Sequence, residues 1–490
     1  MSSRNSERTF NMRPSTTPRH DRFIHRSDSE QRFEYSQTCS CHHRGAIAVH
    51  AAICMLPIML LMALVVDVGL ICMTNAQLQQ AADASAISAA HSLVHSMQPT
   101  KLATDFNKAT STAHRITVLH PGAAQGEKLR LANQDLEFLN AHYDRRSSQY
   151  VTAPVSSQQS FANAVRVSIR RDESVNSRLS LSFSHLMGLE STSLRRDATA
   201  AFFPATEIGE GAEILPIAVD ATVWTTMRLG NHLTNQIVPY DIADFVENIS
   251  LLDALAMTLG KRILDPVGVP FDLAGNPLLI MDRQSWNSSK ETVTSGSDGV
   301  WEGLFLPHQL ERTLTKIPLV TGLTGIKYVP GNMVVIDLGK QASSSKLVMN
   351  LARLERQLVT GLDIHDVAGV NAFNGTTGET IKTPFSVPGQ YYLPKELKEE
   401  LTQSIGKPKI LFLYATIPGV ITTAKDLLQQ PTAFVIVGWV GAVVTEVNFD
   451  STLNYVKLQP APYHSFRLGK GDGSNTDFSS GVYAGPYLIE

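Results

Sequence analysis

The sequence predicts an α+β protein in which a single amino-terminal transmembrane helix continues into a stalk helix and then into an exported body of mixed helices and strands. Three observations predict it. Residues 46 to 66 form a run of 21 residues without a formal charge at neutral pH, and an alanine-rich stretch of strong helix formers follows. Beyond Pro99 the pattern changes to short period-two alternation, and the second half mixes helical stripes with short β-branched runs.

At about 1.5 Å per residue the uncharged run reaches roughly 31 Å, enough to cross a hydrocarbon core of about 30 Å. A secretory signal would have a shorter apolar region and a small-x-small cleavage site close behind it, so an uncleaved anchor is expected. Ile53 and Ile71 precede Cys54 and Cys72 where a lipoprotein signal would carry a small residue. Residues 1 to 45 hold eight Arg, no Lys and five acids, and no Lys or Arg follows the span until Lys101. Positive charge stays inside, which puts the amino terminus in the cytoplasm and the body in the periplasm, anchored in the inner membrane. Within the anchor, Pro57 should kink the helix, and Asp67 is either an interfacial carboxylate of small cost or a group with a packing or relay role.

The anchor divides the chain. Residues 1 to 45 read as a disordered cytoplasmic tail, 46 to 73 as the transmembrane helix, 74 to 98 as the stalk helix, 99 to 210 as a β-containing first part of the body and 211 to 490 as a mixed second part. In the stalk, Leu78, Ala82, Ser85, Ala89 and Leu93 align on one face of small and aliphatic residues. That face suits a partner helix, and with the anchor it could build a homo-oligomer, or it packs on the body of its own chain. His91 and His95, spaced i, i+4, are expected on a solvated helix face.

In the body, Val165, Val167 and Ile169 alternate with Arg166, Ser168 and Arg170, and Ala198, Ala200 and Phe202 continue the theme, so half-buried strands are expected. Residues 204 to 211 read as a hinge or linker. Helical stripes run through Phe245, Ile249, Leu252, Ala256 and Leu259, through Leu347, Leu351, Leu354 and Leu358, and through Leu393, Leu397, Leu401 and Ile405. The runs "ILFLYATI" and "AFVIVGWVGAVV" are too short to cross a bilayer and read as buried strands.

The charge and motif content excludes several function classes. A formal charge of -3 offers nucleic acid no global attraction. The four cysteines, Cys39, Cys41, Cys54 and Cys72, all lie at or before the end of the apolar run, so the body has no thiol and no disulfide. No G-x-S-x-G, phosphate loop or H-E-x-x-H occurs. "CSCHH" is too tightly spaced for an ordinary zinc finger, and "GKGDGSNTD" lacks calcium-loop spacing and reads as a turn. No enzyme, metal or cofactor is expected.

The anchor region resembles that of TadG-like proteins of the Flp, or tight-adherence, pilus-assembly system. In that family an Arg-Gly pair precedes the span, an Asp-x-Gly lies near its outer end and a segment like "LQNAADAAALAAA" follows. Here these are Arg44 and Gly45, Asp67 and Gly69, and "LQQAADASAISAA" at 78 to 90. Later stretches, "NAVRVSIRR", "ILPIAVD", "GNMVVIDLG" and "FVIVGWVGAVVTEVNF" with "YVKLQPA", also resemble longer members. The metal motif of the von Willebrand-type domain found in some members is broken here, since "DASAI" places Ile87 where a Ser is needed. The resemblance implies a noncatalytic envelope component that contacts other pilus-assembly proteins. A pilin-like subunit and an anchored periplasmic enzyme are the alternatives, and His50 stands where a prepilin cut after Gly45 would carry Glu.

Overall fold

The computed structural model describes residues 44–95, 105–122, 127–155, 161–184, 188–221, 223–225, 227, 280–305, 307, 309–310, 328–329, 332–339, 349–415, 432–449, 454–471, 473–475 and 477–489. The tail with "CSCHH" and the stripe from Phe245 to Leu259 lie outside these residues. The chain divides into two units, Met1–Met62 and Ala63–Glu490, each described by itself.

Helix α1 (Arg44–His95) runs without interruption through Pro57. Pro57 has no N–H to offer the carbonyl of Ile53, and the helix tolerates that loss. It is the one helix among the described residues long and apolar enough to cross a membrane. In the first unit its described large apolar side chains, such as Ile53, Leu56, Met59 and Met62, are exposed.

The second unit begins inside the same helix. Asp67, Thr74, Leu78, Ala81, Ser85, Ala89 and Ser92 are buried at spacings of three, four and seven, a stripe that one helix face produces. Helix α2 (Phe106–Leu119), capped by the Asp105 carboxylate, packs on this stripe. The Ser85 and Thr117 hydroxyls lie 2.8 Å apart, and Thr117 Oγ1 donates to the Ala113 carbonyl, which leaves Ser85 as the donor to Thr117. Ser92 Oγ donates to Thr112 Oγ1 at 2.9 Å. Alanines allow the two helices to approach, and paired hydroxyls satisfy the polar groups caught between them. Residues 74 to 95 therefore form an element of the core; of the two outcomes left open for the small-residue face, the structure shows it covered by the chain's own body.

Among the described residues, fourteen strands build the two large sheets. They are β1 (Leu136–Asp144), β2 (Gln149–Pro154), β3 (Ala164–Arg171), β4 (Leu194–Pro204), β5 (Ile214–Asp220), β6 (Ile280–Met281), β7 (Glu302–Phe305), β8 (Met333–Ile336), β9 (Phe385–Gln390), β10 (Pro408–Tyr414), β11 (Thr432–Phe449), β12 (Asn454–Pro460), β13 (Tyr463–Ser465) and β14 (Val482–Leu488). The first sheet has the order β13-β14-β4-β3-β1-β2. Its Val165, Val167, Ile169, Ala198, Ala200 and Phe202 face α1 and α2, as the alternation predicts. On the opposite face lie Leu139, Ala141, Ala201 and Phe203. Asn163, at the head of β3, stitches its neighbours: its amide accepts from Ala141 N at 2.8 Å and donates to the carbonyls of Ala141 and Phe202.

The second sheet has the order β6-β7-β12-β11-β9-β8-β5-β10, and a further β10–β11 pairing closes five of its strands into a ring. Strand β11 makes this closure: its residues pair in succession with β9, β10 and β12. Apolar side chains fill both faces, which explains the unbroken runs in "ILPIAVD" and "ILFLYATI". Helices α3 (Leu351–Thr360) and α5 (Lys398–Gln403) cover one face through Leu354, Leu358 and Leu401, while α4 (Ile364–Phe373) covers the other through Val367 and Val370. Gly361 ends α3 at φ +80°, where a Cβ would meet the Ala212 carbonyl oxygen at 2.4 Å. The third stripe is a 3-10 turn, Lys395–Leu397, followed by the short α5. Asp337, fully buried, takes both Arg353 Nε and Nη2 at 2.6 Å and the Asn350 amide at 2.9 Å, which pins α3 to the end of β8.

Three expectations are corrected. Residues 204 to 211 are not a hinge, because Glu207–Gly209 is a buried strand between Thr380–Ile381 and Leu468–Gly469, with Ile208 in the main core. The parts 99 to 210 and 211 to 490 share a sheet, since β13 and β14 return to pair beside β4. His91 is only partly exposed: its ring lies 4.4 Å from that of His464 in β13. Burial first, then the positive charge near His464 and Lys108, pushes the His91 imidazole down to about 4, and burial lowers His464 as well.

Two predictions follow from this packing. Ala89→Leu inserts three carbons into a closed helix contact and should destabilise the body by about 1–3 kcal/mol, read as a lower melting temperature of the detergent-solubilised protein. The histidine pair makes stability acid-sensitive. An imidazole held near 4 in the fold but near 6.5 when unfolded takes up a proton more readily unfolded, so its contribution is full above about pH 6.5 and falls as pH drops toward 4. The melting temperature should decline between pH 7 and 5, and His91→Phe should make that decline shallower.

Candidate functional site at Asp67

A carboxylate on an apolar helix needs partners, and Asp67 finds them far away in sequence. Its Oδ1 accepts the Ser182 amide at 2.9 Å; its Oδ2 accepts the Phe183 amide at 3.0 Å, the Ser184 amide at 2.6 Å and the Ser184 hydroxyl at 2.7 Å. Four donors thus meet the carboxylate, one at Oδ1 and three crowded on Oδ2. The side chain is 1% exposed, although Val66 and Val68 beside it are exposed.

The donors sit at the tip of a hairpin inserted between β3 and β4. Leu179–Ser180 pairs with Ser191–Thr192, the Leu181 amide donates to the Glu190 carbonyl at 3.1 Å and the Leu189 amide to the Ser184 carbonyl at 3.0 Å. Three successive amides then point at one anion, a concave arrangement that backbone turns provide for negative charge. Charge-assisted bonds of this kind are roughly twice as strong as neutral ones, and low local dielectric strengthens them further.

Of the two roles left open for Asp67 in the sequence, the structure supports packing, not a solvated interfacial carboxylate. With four donors on its two oxygens, the group holds a loop. The remaining singled-out residues are placed as follows. Arg44 and Gly45 open α1, and Pro57 lies within its exposed stretch. Gly69 is exposed, and a Cβ there would meet nothing within 4 Å, so nothing in this chain requires glycine at that position. Leu78, Ala82, Ser85 and Ala89 come together, at most 1% exposed, in the core that α1 forms with α2 and the first sheet. The hairpin tip was not singled out in the sequence. Ser182 and Ser184 are its only signal, and no periodicity links them to a residue more than a hundred positions earlier.

Elsewhere the polar clusters are internally engaged. A cleft of about 440 Å³ is lined by Glu213, Lys409, Tyr463 and His464 among others, but Lys409 donates to the Leu358 carbonyl at 2.9 Å and to Glu213 at 3.4 Å, and Tyr463 Oη accepts the Glu213 amide. Burial pushes the Glu302 carboxyl up to about 7, and its oxygens accept the amides of Arg283 and Gln284. Among the described residues no group of three or more His, Cys, Asp or Glu is arranged to hold a metal. Asp477 of "GKGDGSNTD" accepts the Ser479 amide as the cap of a 3-10 turn, while Asp472 lies outside the described residues.

Asp67→Ala should free the amides of residues 182 to 184. Removing charge-assisted bonds and leaving donors unmatched costs about 1.5–3 kcal/mol. Faster hydrogen exchange at these amides, with β3 and β4 still protected, is the expected reading; unchanged exchange at the tip would contradict the assigned bonds.

Comparison with known proteins reaches the same stretch. No curated protein and no solved structure matches the chain. Residues 45–92, from the start of α1 through Asp67 to the small-residue face, match the family model described as "Putative Flp pilus-assembly TadE/G-like", so that the chain is similar over this segment to that pilus-assembly family and consistent with a TadG-like protein.

Proposed function

We propose that this chain is a membrane-anchored, noncatalytic component of Flp-type pilus assembly, with its amino terminus in the cytoplasm and its body in the periplasm, acting by contact with other pilus-assembly proteins. One observation carries the reading: the family match over residues 45–92 coincides with the one described helix able to cross a membrane. The arginines before the span and the lack of Lys or Arg from its end to Lys101 support the orientation. The engaged side chains of the polar clusters support a contact role over catalysis.

A pilin-like subunit is the second reading, because α1 buries one half in a sheet and leaves an apolar half exposed, and such halves can bundle with one another as well as with lipid. Filaments sheared from cells separate the two. A subunit accompanies the filament in stoichiometric amount; an assembly component stays in the membrane fraction.

A periplasm-active reporter fused after Glu490 should give signal, and a strain lacking the chain should lose its pili until the full chain is restored. Signal solely from a cytoplasm-active reporter would refute the topology. Normal piliation without the chain would refute the assembly role.

A further inference from the structure

We propose that the hairpin tip held on Asp67 is a lipid-contacting surface, with Phe183 and Leu189 resting in the interfacial layer of the bilayer that α1 crosses. The inference rests on the anchored reading of α1 and concerns a surface of the body. Its starting point is depth. Leu64, Val65, Val66 and Val68 are 42%, 70%, 55% and 49% exposed, so α1 still presents apolar surface to its surroundings on both sides of Asp67. The uncharged run of 46 to 66 ends at this point, and a run of roughly 31 Å is matched to a hydrocarbon core of about 30 Å. Asp67 therefore marks the outer boundary of that core.

The bonds of 2.6 to 3.0 Å between Asp67 and residues 182 to 184 fix the tip at the same depth. Two of its side chains remain outside the body's core, Phe183 at 43% and Leu189 at 60% exposure. In water such exposure has no return, but at the acyl boundary it removes apolar area from solvent, and aromatic side chains favour that layer.

Backbone donors on both described arms of the hairpin are matched as well. Backbone N–H groups entering low dielectric must have partners. Those of Ser182, Phe183 and Ser184 have Asp67, that of Leu181 has the Glu190 carbonyl and that of Leu189 the Ser184 carbonyl. Residues 181–184, 188 and 189 carry no formal charge. Continuity with the exposed apolar surface of α1 selects a lipid surface as the occupant.

The test uses the full-length protein in nanodiscs made with phospholipid brominated high on its acyl chains, an indole quencher. Phe183→Trp and Leu189→Trp are each compared with unsubstituted protein, whose four native tryptophans provide the background. Val65→Trp reports the anchor itself, and Val359→Trp, 61% exposed in the unsubstituted α3, reports an apolar position away from the hairpin. The proposal expects the added emission at 183, 189 and 65 to lose intensity in brominated discs and that at 359 to keep it. Quenching at 65 but at neither 183 nor 189 overturns the proposal and leaves the anchor standing. No quenching at 65 overturns the anchored reading, and the proposal with it.

Discussion

The Asp67 carboxylate sets the terms for everything around it. It stands on a helix whose preceding residues are apolar and uncharged, and an isolated charge buried beside them is expensive. Three amides and a hydroxyl from the 182–184 turn remove that expense by replacing the water the charge would otherwise need. The exchange is reciprocal, because the turn's own amides would be equally costly if left unmatched. A device that satisfies both partners also fixes them together, so the helix and the hairpin share one position.

From that point the helix changes character without changing conformation. Its exposed apolar face gives way to a buried stripe that alanine and serine dominate, and the partners become α2 and the first sheet. Removing residues 78 to 94 would take Leu78, Leu93 and Val94, each at most 1% exposed, out of the core and expose the inner face of β3 and β4. This half of α1 is therefore part of the body, whose hydrophobic core requires it.

Much of this was legible in the sequence, and what was missed has a common physical origin. Periodicity is a local signal. It located the alternating strands around Val165 and Ala200 and the α3 stripe through Leu354, because each depends on which faces an element covers, and the unbroken apolar run of "ILFLYATI" marked a strand buried on both faces. It could not tell which surface a stripe would meet. Ala82, Ser85 and Ala89 permit close approach to any helix, and the choice of α2 was made by Thr112 and Thr117, whose hydroxyls match the serines of α1. The same limit hid the Asp67 turn, the His91–His464 contact and the buried strand at 207 to 209, all of which join residues far apart in the chain. Gly and Glu at 207 to 211 imitate a linker, but Glu207 has Thr380 and Lys382 as partners and Gly209 lies against the Arg467 carbonyl.

These distant pairings constrain how the body can form. Strand β4 has β3 on one side and β14 on the other, so its second edge remains open until residues 482 to 488 are present. Strand β5 has the same problem, since its parallel partner β10 comes nearly two hundred residues later. Open edges are templates for wrong pairing, and closing long loops before contacts reward them slows folding. A chain that forms from its amino-terminal end would expose these edges in sequence, with α1 already made. The packing of α2 on α1 and then the hairpin on Asp67 can be completed early, because neither needs a later strand. The sheet order thus places the earliest fixed contacts of the body on α1 and its final closure at β14.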